Sequence, residues 1–324
     1  MVFGLLGLYF CFIKFLESEK WLFLAGSILF SNLAILSWPI ALFFLLPIVY
    51  LSYEKYRLKF FMNVKLWVFA LLSFMPFVVW RIWMLNFREG IPSWQFLVND
   101  SNIRFKGAFF RWLIAERIGK LILTVGGFPL FVIGLIVKNS KKENLFYLTW
   151  LFSLIIYFIV FASGNVRHDY YQVPLVPIAS IFMAIGTIKL FNLPSDHFSK
   201  ILGPVVALIL IIFMYAFGFY EVRGYWWINR PEIVKAGMAA DKILPKDATV
   251  IVPYGGDAAF LYQTERHGYP VVDRPLKELV KNGTKYLVSV DVADEGIQKL
   301  AKNCKLLAAE NDYLIIELSE NCID

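Results

Sequence analysis

Charge and cysteine are what this chain has least of. Only 18% of its 324 residues are charged, against 59% hydrophobic and 18% aromatic, and mean hydropathy is +0.61. That balance excludes an ordinary soluble domain of this length and fits a multipass membrane protein. The three cysteines, Cys11, Cys304 and Cys322, have no metal-ligand spacing and are too few for a disulfide framework, although a Cys304–Cys322 pair stays open. His197 and His267 each lack a second histidine or cysteine at ligand spacing, which argues against a metal site. GxGxxG and P-loop patterns are missing. Gly255-Gly256, between a predicted strand and a predicted helix, therefore reads as a turn that admits φ > 0 rather than as a nucleotide loop. The formal charge of +7 is concentrated in short loops between apolar runs, where the positive-inside rule accounts for it, so nucleic acid is excluded as a partner.

What is present is long apolar sequence. About 20 residues per helical span give eight segments, near residues 2–16, 21–37, 39–53, 66–84, 121–137, 145–163, 172–188 and 201–220. Trp38-Pro39 separates the second from the third, because proline has no amide donor and restricts the residue before it. The connections at Glu54 to Lys65, Lys138 to Lys142 and Lys189 to Lys200 are biased to lysine and arginine and belong inside. A long segment from about 85 to 120, the run Arg167 to Tyr171, and everything after about 221 then face out. Counting back places 14–20 inside and Met1 outside. The expected fold is a polytopic helical domain over 1–220 and a soluble extracytoplasmic α/β domain over 221–324, in a plasma (inner) membrane.

The tail changes composition and alternates elements. Helix 231–243, strand 249–252, helix 257–264, strand 270–272, helix 276–280, strand 286–290, helix 295–301 and strands 305–307 and 313–318 predict a small layered domain with a partly parallel sheet.

Chemistry is concentrated in Arg167-His168-Asp169-Tyr170-Tyr171, followed by Gln172, Val173 and Pro174. A cation, an imidazole, a carboxylate and two phenols between two spans need water, headgroups or a polar ligand. Headgroup anchoring by an aromatic belt is the competing reading. The outer 85–120 segment is itself basic, with Arg88, Arg104, Lys106, Arg111, Arg117 and Lys120, and calls for something anionic outside. Glu89, Asp100 and Glu116 share that segment as candidate general bases or as partners of its arginines.

Several stretches resemble bacterial membrane glycosyltransferases of the GT-C class, the group that includes protein mannosyltransferases and aminoarabinose transferases. These are Trp21 to Gly26 running into Asn32 to Pro39, Gly126-Gly127-Phe128-Pro129-Leu130, Arg167 to Pro177, and Ile243-Leu244-Pro245 with Asp257 to Arg266. The resemblance implies transfer of a sugar from a polyprenyl-phosphate donor at the outer face. It also implies that Arg88, Arg104, Lys106, Arg111, Arg167, His168, Tyr170 and Tyr171 hold the lipid phosphate as leaving group. A divalent metal is left open by the family and is assigned no residue here. The family's acidic pair in a first outer loop has no counterpart before Lys14, so the chain is expected to start several helices into the family pattern. A partner chain could supply the missing part. The alternative is a non-catalytic partner subunit or lipid-phosphate-binding module. A transporter is disfavoured because no internal repeat is visible.

Overall fold

A computed structural model describes residues 1–90, 95–137, 141–193, 199–227, 229–272 and 274–323, without the side chains of 88–90, 95, 141, 142 and 199. His197 lies outside the described residues, and so does the side chain of Arg88. The chain divides into two compact units, Met1–Arg223 and Gly224–Asp324.

All eight apolar stretches fold as helix. Among the described residues, five helices are long and apolar enough to cross a membrane: Val64–Phe87, Gly107–Ile136, Glu143–Val160, Val173–Phe191 and one that starts at Lys200. Trp21–Ser37 is apolar but shorter. Val2–Ser18 and Trp21–Ser37 form a hairpin, which turns at Glu19 in the left-handed region (φ 53°). The break at Trp38-Pro39 is present: the helix stops at Ser37, Trp38 is extended, and a tight turn Pro39–Leu45 leads into Leu46–Tyr56. Tyr9 locks that turn, its hydroxyl donating to the Phe44 carbonyl at 2.7 Å. The core of this unit is aromatic and aliphatic, with Phe12, Phe15, Leu24, Phe44 and Tyr157 fully buried.

The outer segment expected over 85–120 ends earlier. Helix begins at Gly107 and extends to Ile136 with one departure, at Thr124 (φ 57°), so Arg111, Glu116, Arg117 and Lys120 are helical rather than loop residues. Between Arg111 and Leu123 the turns are widened to the π type, which removes the 3.6-residue repeat by which a helix is recognised. Glu116 and Lys120, four residues apart, form an ion pair at 2.7 Å on this stretch.

The second unit holds a five-stranded sheet in the order β2-β1-β3-β5-β4, with β1 Thr249–Ile251, β2 His267–Tyr269, β3 Tyr286–Ser289, β4 Lys305–Ala309 and β5 Leu314–Glu317. β1 pairs in parallel with β2 and β3, while β3–β5 and β5–β4 are antiparallel, which makes the sheet partly parallel as expected. β2 lies at 267–269 rather than 270–272. Gly268 sits against the Val250 carbonyl, where a Cβ would overlap it, and Pro270 has no amide with which to continue the ladder. Val250, Val252, Phe260, Val288 and Ile315 bury one face. Ile251, Leu279, Leu287 and Ile316 bury the other. Cys304 and Cys322 are joined as a disulfide, Cα atoms 5.0 Å apart, which ties the end of helix Glu295–Asn303 to the turn Glu320–Cys322. Cys11 is buried and free.

Candidate functional site

The cluster singled out in the sequence is built on a short helix, Ala162–Arg167, and the turns that follow it. Ser163, Gly164 and Asn165 are buried, which forces Arg167 to the surface at the helix end. The chain then reverses. Gln172, fully buried, holds the reversal together: its Nε2 donates to the Asn165 carbonyl at 2.7 Å, to Asn165 Oδ1 at 3.1 Å and to the His168 carbonyl at 3.3 Å. A buried amide used this way is costly to remove, because its partners lose their donor. Gly164 is needed for closeness, since a Cβ there would come within 2.6 Å of the Tyr171 ring.

The rings stack in sequence. His168 lies 4.9 Å from Tyr171 and 5.4 Å from Tyr170, the two tyrosines are 5.1 Å apart, and Trp38 meets Tyr171 edge-on at 5.2 Å. Tyr157, from the helix Lys141–Val160, donates its hydroxyl to the Tyr171 carbonyl at 3.1 Å. Burial, with Tyr170 beside it, pushes the Tyr171 phenol above its ordinary value, so it stays a neutral donor at physiological pH. Tyr170 remains more than half exposed.

The segment 95–106 packs onto this helix. Asp100 receives Arg167 as an ion pair, both side chains being about half exposed, and its backbone amide donates to Ser163 Oγ at 2.6 Å. Ser101 and Asn102 turn through the left-handed region (φ 53° and 56°) to place it. Arg167 also lies over the Phe96 ring at 6.0 Å.

Comparison with family models, with curated proteins and with solved structures finds no match for this chain.

Of the eight expected phosphate ligands, Arg167, His168, Tyr170 and Tyr171 stand together. Arg104 is close but turned inward: its Nη2 donates to the carbonyls of Val160 at 3.0 Å and Val98 at 3.4 Å, which makes it a clamp on the segment. Arg117 does the same from the long helix, donating to the Val166 carbonyl at 3.2 Å and lying over the Trp112 ring at 5.6 Å. Lys106 and Arg111 are exposed, and among the described residues no contact joins them to the cluster. Glu116 is taken by Lys120, the side chain of Glu89 lies outside the described residues, and Asp100 is brought to the cluster by its pair with Arg167. Among the described residues no three of His, Cys, Asp and Glu converge as metal ligands.

Trp38, Phe96, Ser163 and Asn165 belong to the site and carried no sequence signal beyond Asn165, a lone amide in an otherwise apolar run. Chemically, the surface offers one guanidinium shared with a carboxylate, an imidazole and a phenol within ring contact of each other. Two further cations, Arg104 and Arg117, donate to neutral carbonyls, and among the described residues neither is in an ion pair. An anion with several oxygens matches that set of donors.

Proposed function

We propose that this chain is an eight-pass membrane protein of the lipid-linked sugar glycosyltransferase type, which holds an anionic lipid phosphate at the Arg167–His168–Tyr170 cluster. The observation that carries the reading is the Asp100–Arg167 pair: a half-exposed guanidinium already engaged by a carboxylate, on a surface that retains a positive excess. Between Gln95 and Lys120 there are five basic side chains and two acidic ones. A phosphate competes well with one carboxylate for a bidentate guanidinium. The resemblance of the sequence to the GT-C class supplies the reaction, in which the phosphate leaves as the sugar moves to an acceptor. The Cys304–Cys322 disulfide supports an oxidising, extracytoplasmic setting for the tail. The non-catalytic alternative, a lipid-phosphate-binding subunit, uses the same cluster and differs only in turnover.

The test is binding of a short-chain polyprenyl phosphate to the purified protein in detergent at one ionic strength. Arg167→Ala removes a charge-assisted contact of about 1.5 to 3 kcal/mol, so affinity should fall about tenfold or more. Arg167→Lys should recover part of it. Asp100→Asn should bind more tightly than wild type, because the resident carboxylate no longer competes. Equal affinities across the four proteins would leave the cluster as a headgroup anchor.

A further inference from the structure

A groove runs between the helices Leu46–Tyr56 and Val64–Met84 and is closed at one end by the tight turn Arg57–Met62. Ile48, Val49, Phe60, Trp67, Ala70 and Phe74 are among its walls, and its volume is about 230 Å³. That volume is below the roughly 300–1,000 Å³ typical of sites that enclose a whole small molecule, and it suits a single hydrocarbon chain lying along the groove. The polar groups on its walls are already satisfied. Ser52 Oγ donates back to the Ile48 carbonyl at 2.8 Å, and Trp67 Nε1 donates to the Phe61 carbonyl at 2.7 Å. The second of these bonds also pins the closing turn to the helix, so the groove is preformed. An occupant meets only hydrocarbon and aromatic rings.

The turn that closes the groove is basic. From Glu54 to Lys65 the sequence has four cations, Lys55, Arg57, Lys59 and Lys65, and a single acid. Lys65 is engaged by Glu19, through its carbonyl at 3.2 Å and its carboxylate at 3.7 Å. Lys55, Arg57 and Lys59 are exposed, and among the described residues none of them is in an ion pair or hydrogen bond. Arg57 only lies over the Tyr53 ring, at 5.7 Å. On the membrane reading of the apolar helices, one wall of this groove belongs to a helix long and apolar enough to span the bilayer and barely buried within the protein. The groove then opens to acyl chains, with the basic turn at headgroup depth.

We propose that this groove is a binding site for one acidic phospholipid, its hydrocarbon chain against Trp67 and Ala70 and its phosphate on Arg57 and Lys59. The charge pattern selects the ligand. A zwitterionic lipid would bring a second cation against the turn, and an uncharged apolar ligand would leave three cations without a counter-ion. The site uses no residue of the Arg167 cluster, so it stands or falls separately from the glycosyltransferase reading.

The experiment places the full-length protein in phosphatidylcholine nanodiscs with a trace of spin-labelled phosphatidylglycerol or spin-labelled phosphatidylcholine, and measures the immobilised fraction of each. Wild type should immobilise the acidic lipid about 25-fold more than the zwitterionic one, about fivefold for each of the two cations. Arg57→Ala and Lys59→Ala should each cut that preference about fivefold, the effect of one surface cation beside an anionic headgroup. Ala70→Phe, which fills the groove, should abolish it with both cations retained. Equal immobilisation of the two lipids, or a preference unchanged in the Arg57→Ala, Lys59→Ala double variant, overturns the proposal. The double variant changes only exposed side chains and decides the matter even where Ala70→Phe does not fold.

Discussion

The side chain of Arg266 is fully enclosed in the second unit, and each of its nitrogens has a partner. Nε donates to the Pro245 carbonyl at 2.7 Å, Nη1 to Asp241 Oδ1 at 2.6 Å, and Nη2 to the carbonyls of Leu244 at 2.8 Å and Asp241 at 3.1 Å. One guanidinium thus ties the end of helix Pro231–Ile243 to the entry of β2. Removing it orphans buried carbonyls, and Arg266→Met should destabilise this unit by roughly 3 kcal/mol or more. Asp241 makes the same junction sensitive to acid. The hydrogen bond from Lys246, and then that from Arg266, hold its carboxyl below the ordinary value of 3.8. A depressed carboxyl contributes stability that is fully present above the unfolded-state value and is lost as pH falls through the folded-state value. The amide protection factors of residues 231–269, which correct for the intrinsic pH dependence of exchange, should therefore fall in wild type as pH is lowered from neutral through that range. In Asp241→Asn protection should be lower at neutral pH and should change less on acidification; parallel acid limbs in the two proteins would refute the assignment. Nothing in the run Thr264-Glu265-Arg266-His267 marks Arg266 as buried, because it reads as polar turn. Beside the adjacent carbonyls of Thr264 and Glu265, its partners Asp241, Leu244 and Pro245 come from more than 20 residues upstream, at a distance that no local pattern encodes.

At some helix crossings of the first unit, packing depends on glycine beside the aromatic core. Gly134 faces the Phe182 carbonyl oxygen and Gly186 faces that of Leu130, so the helices Thr124–Ile136 and Val176–Phe191 touch backbone to backbone. Gly126 meets the Leu210 carbonyl of the helix Ser199–Val222 in the same way. Where lipid is as apolar as leucine, close backbone approach supplies the dispersion that holds helices together. A β-branched residue at Gly134 or Gly186 has no room and must push the pair apart. Gly134→Val and Gly186→Val should each cost at least about 1–3 kcal/mol. Gly107→Ala, with open space around its Cα, should be neutral or slightly stabilising, since alanine loses less backbone freedom in a helix. Thermal unfolding of the three variants in detergent checks this, and similar midpoints would show that these crossings do not limit stability. The lengths and breaks of these helices were legible because apolar runs and Trp38-Pro39 are local signals. The extension back to Gly107 was not, because the wide turns between Arg111 and Leu123 hide the repeat and charged side chains interrupt the apolar run.

At the scale of the whole molecule, orientation decides what every candidate site can meet. Two independent features bear on it. The lysine- and arginine-rich turn at 54–65 is expected to face the cytoplasm, where basic loops are retained during insertion. The disulfide of the second unit fits an oxidising compartment. On the proposed eight-pass topology, both agree with the segment 95–106 and the Arg167 cluster being outside and the basic turn of the lipid groove inside. The cluster itself was half visible in the sequence. Its charged and aromatic residues are contiguous and so were found, whereas Asp100, the partner of Arg167, is 67 residues away and was one of several acids in its segment. Orientation can be tested without any ligand. In a Cys11→Ser background, single cysteines at Lys59, Lys106 and Gly256 are exposed to a membrane-impermeant maleimide on intact cells. Those at Lys106 and Gly256 should label at once, and the one at Lys59 only after permeabilisation. Denatured protein should label at all three, which excludes burial as the cause of a negative. Labelling at Lys59 in intact cells, with none at Lys106, would invert the molecule. A lipid-linked phosphate sugar at the outer face could then not be the ligand of Arg167.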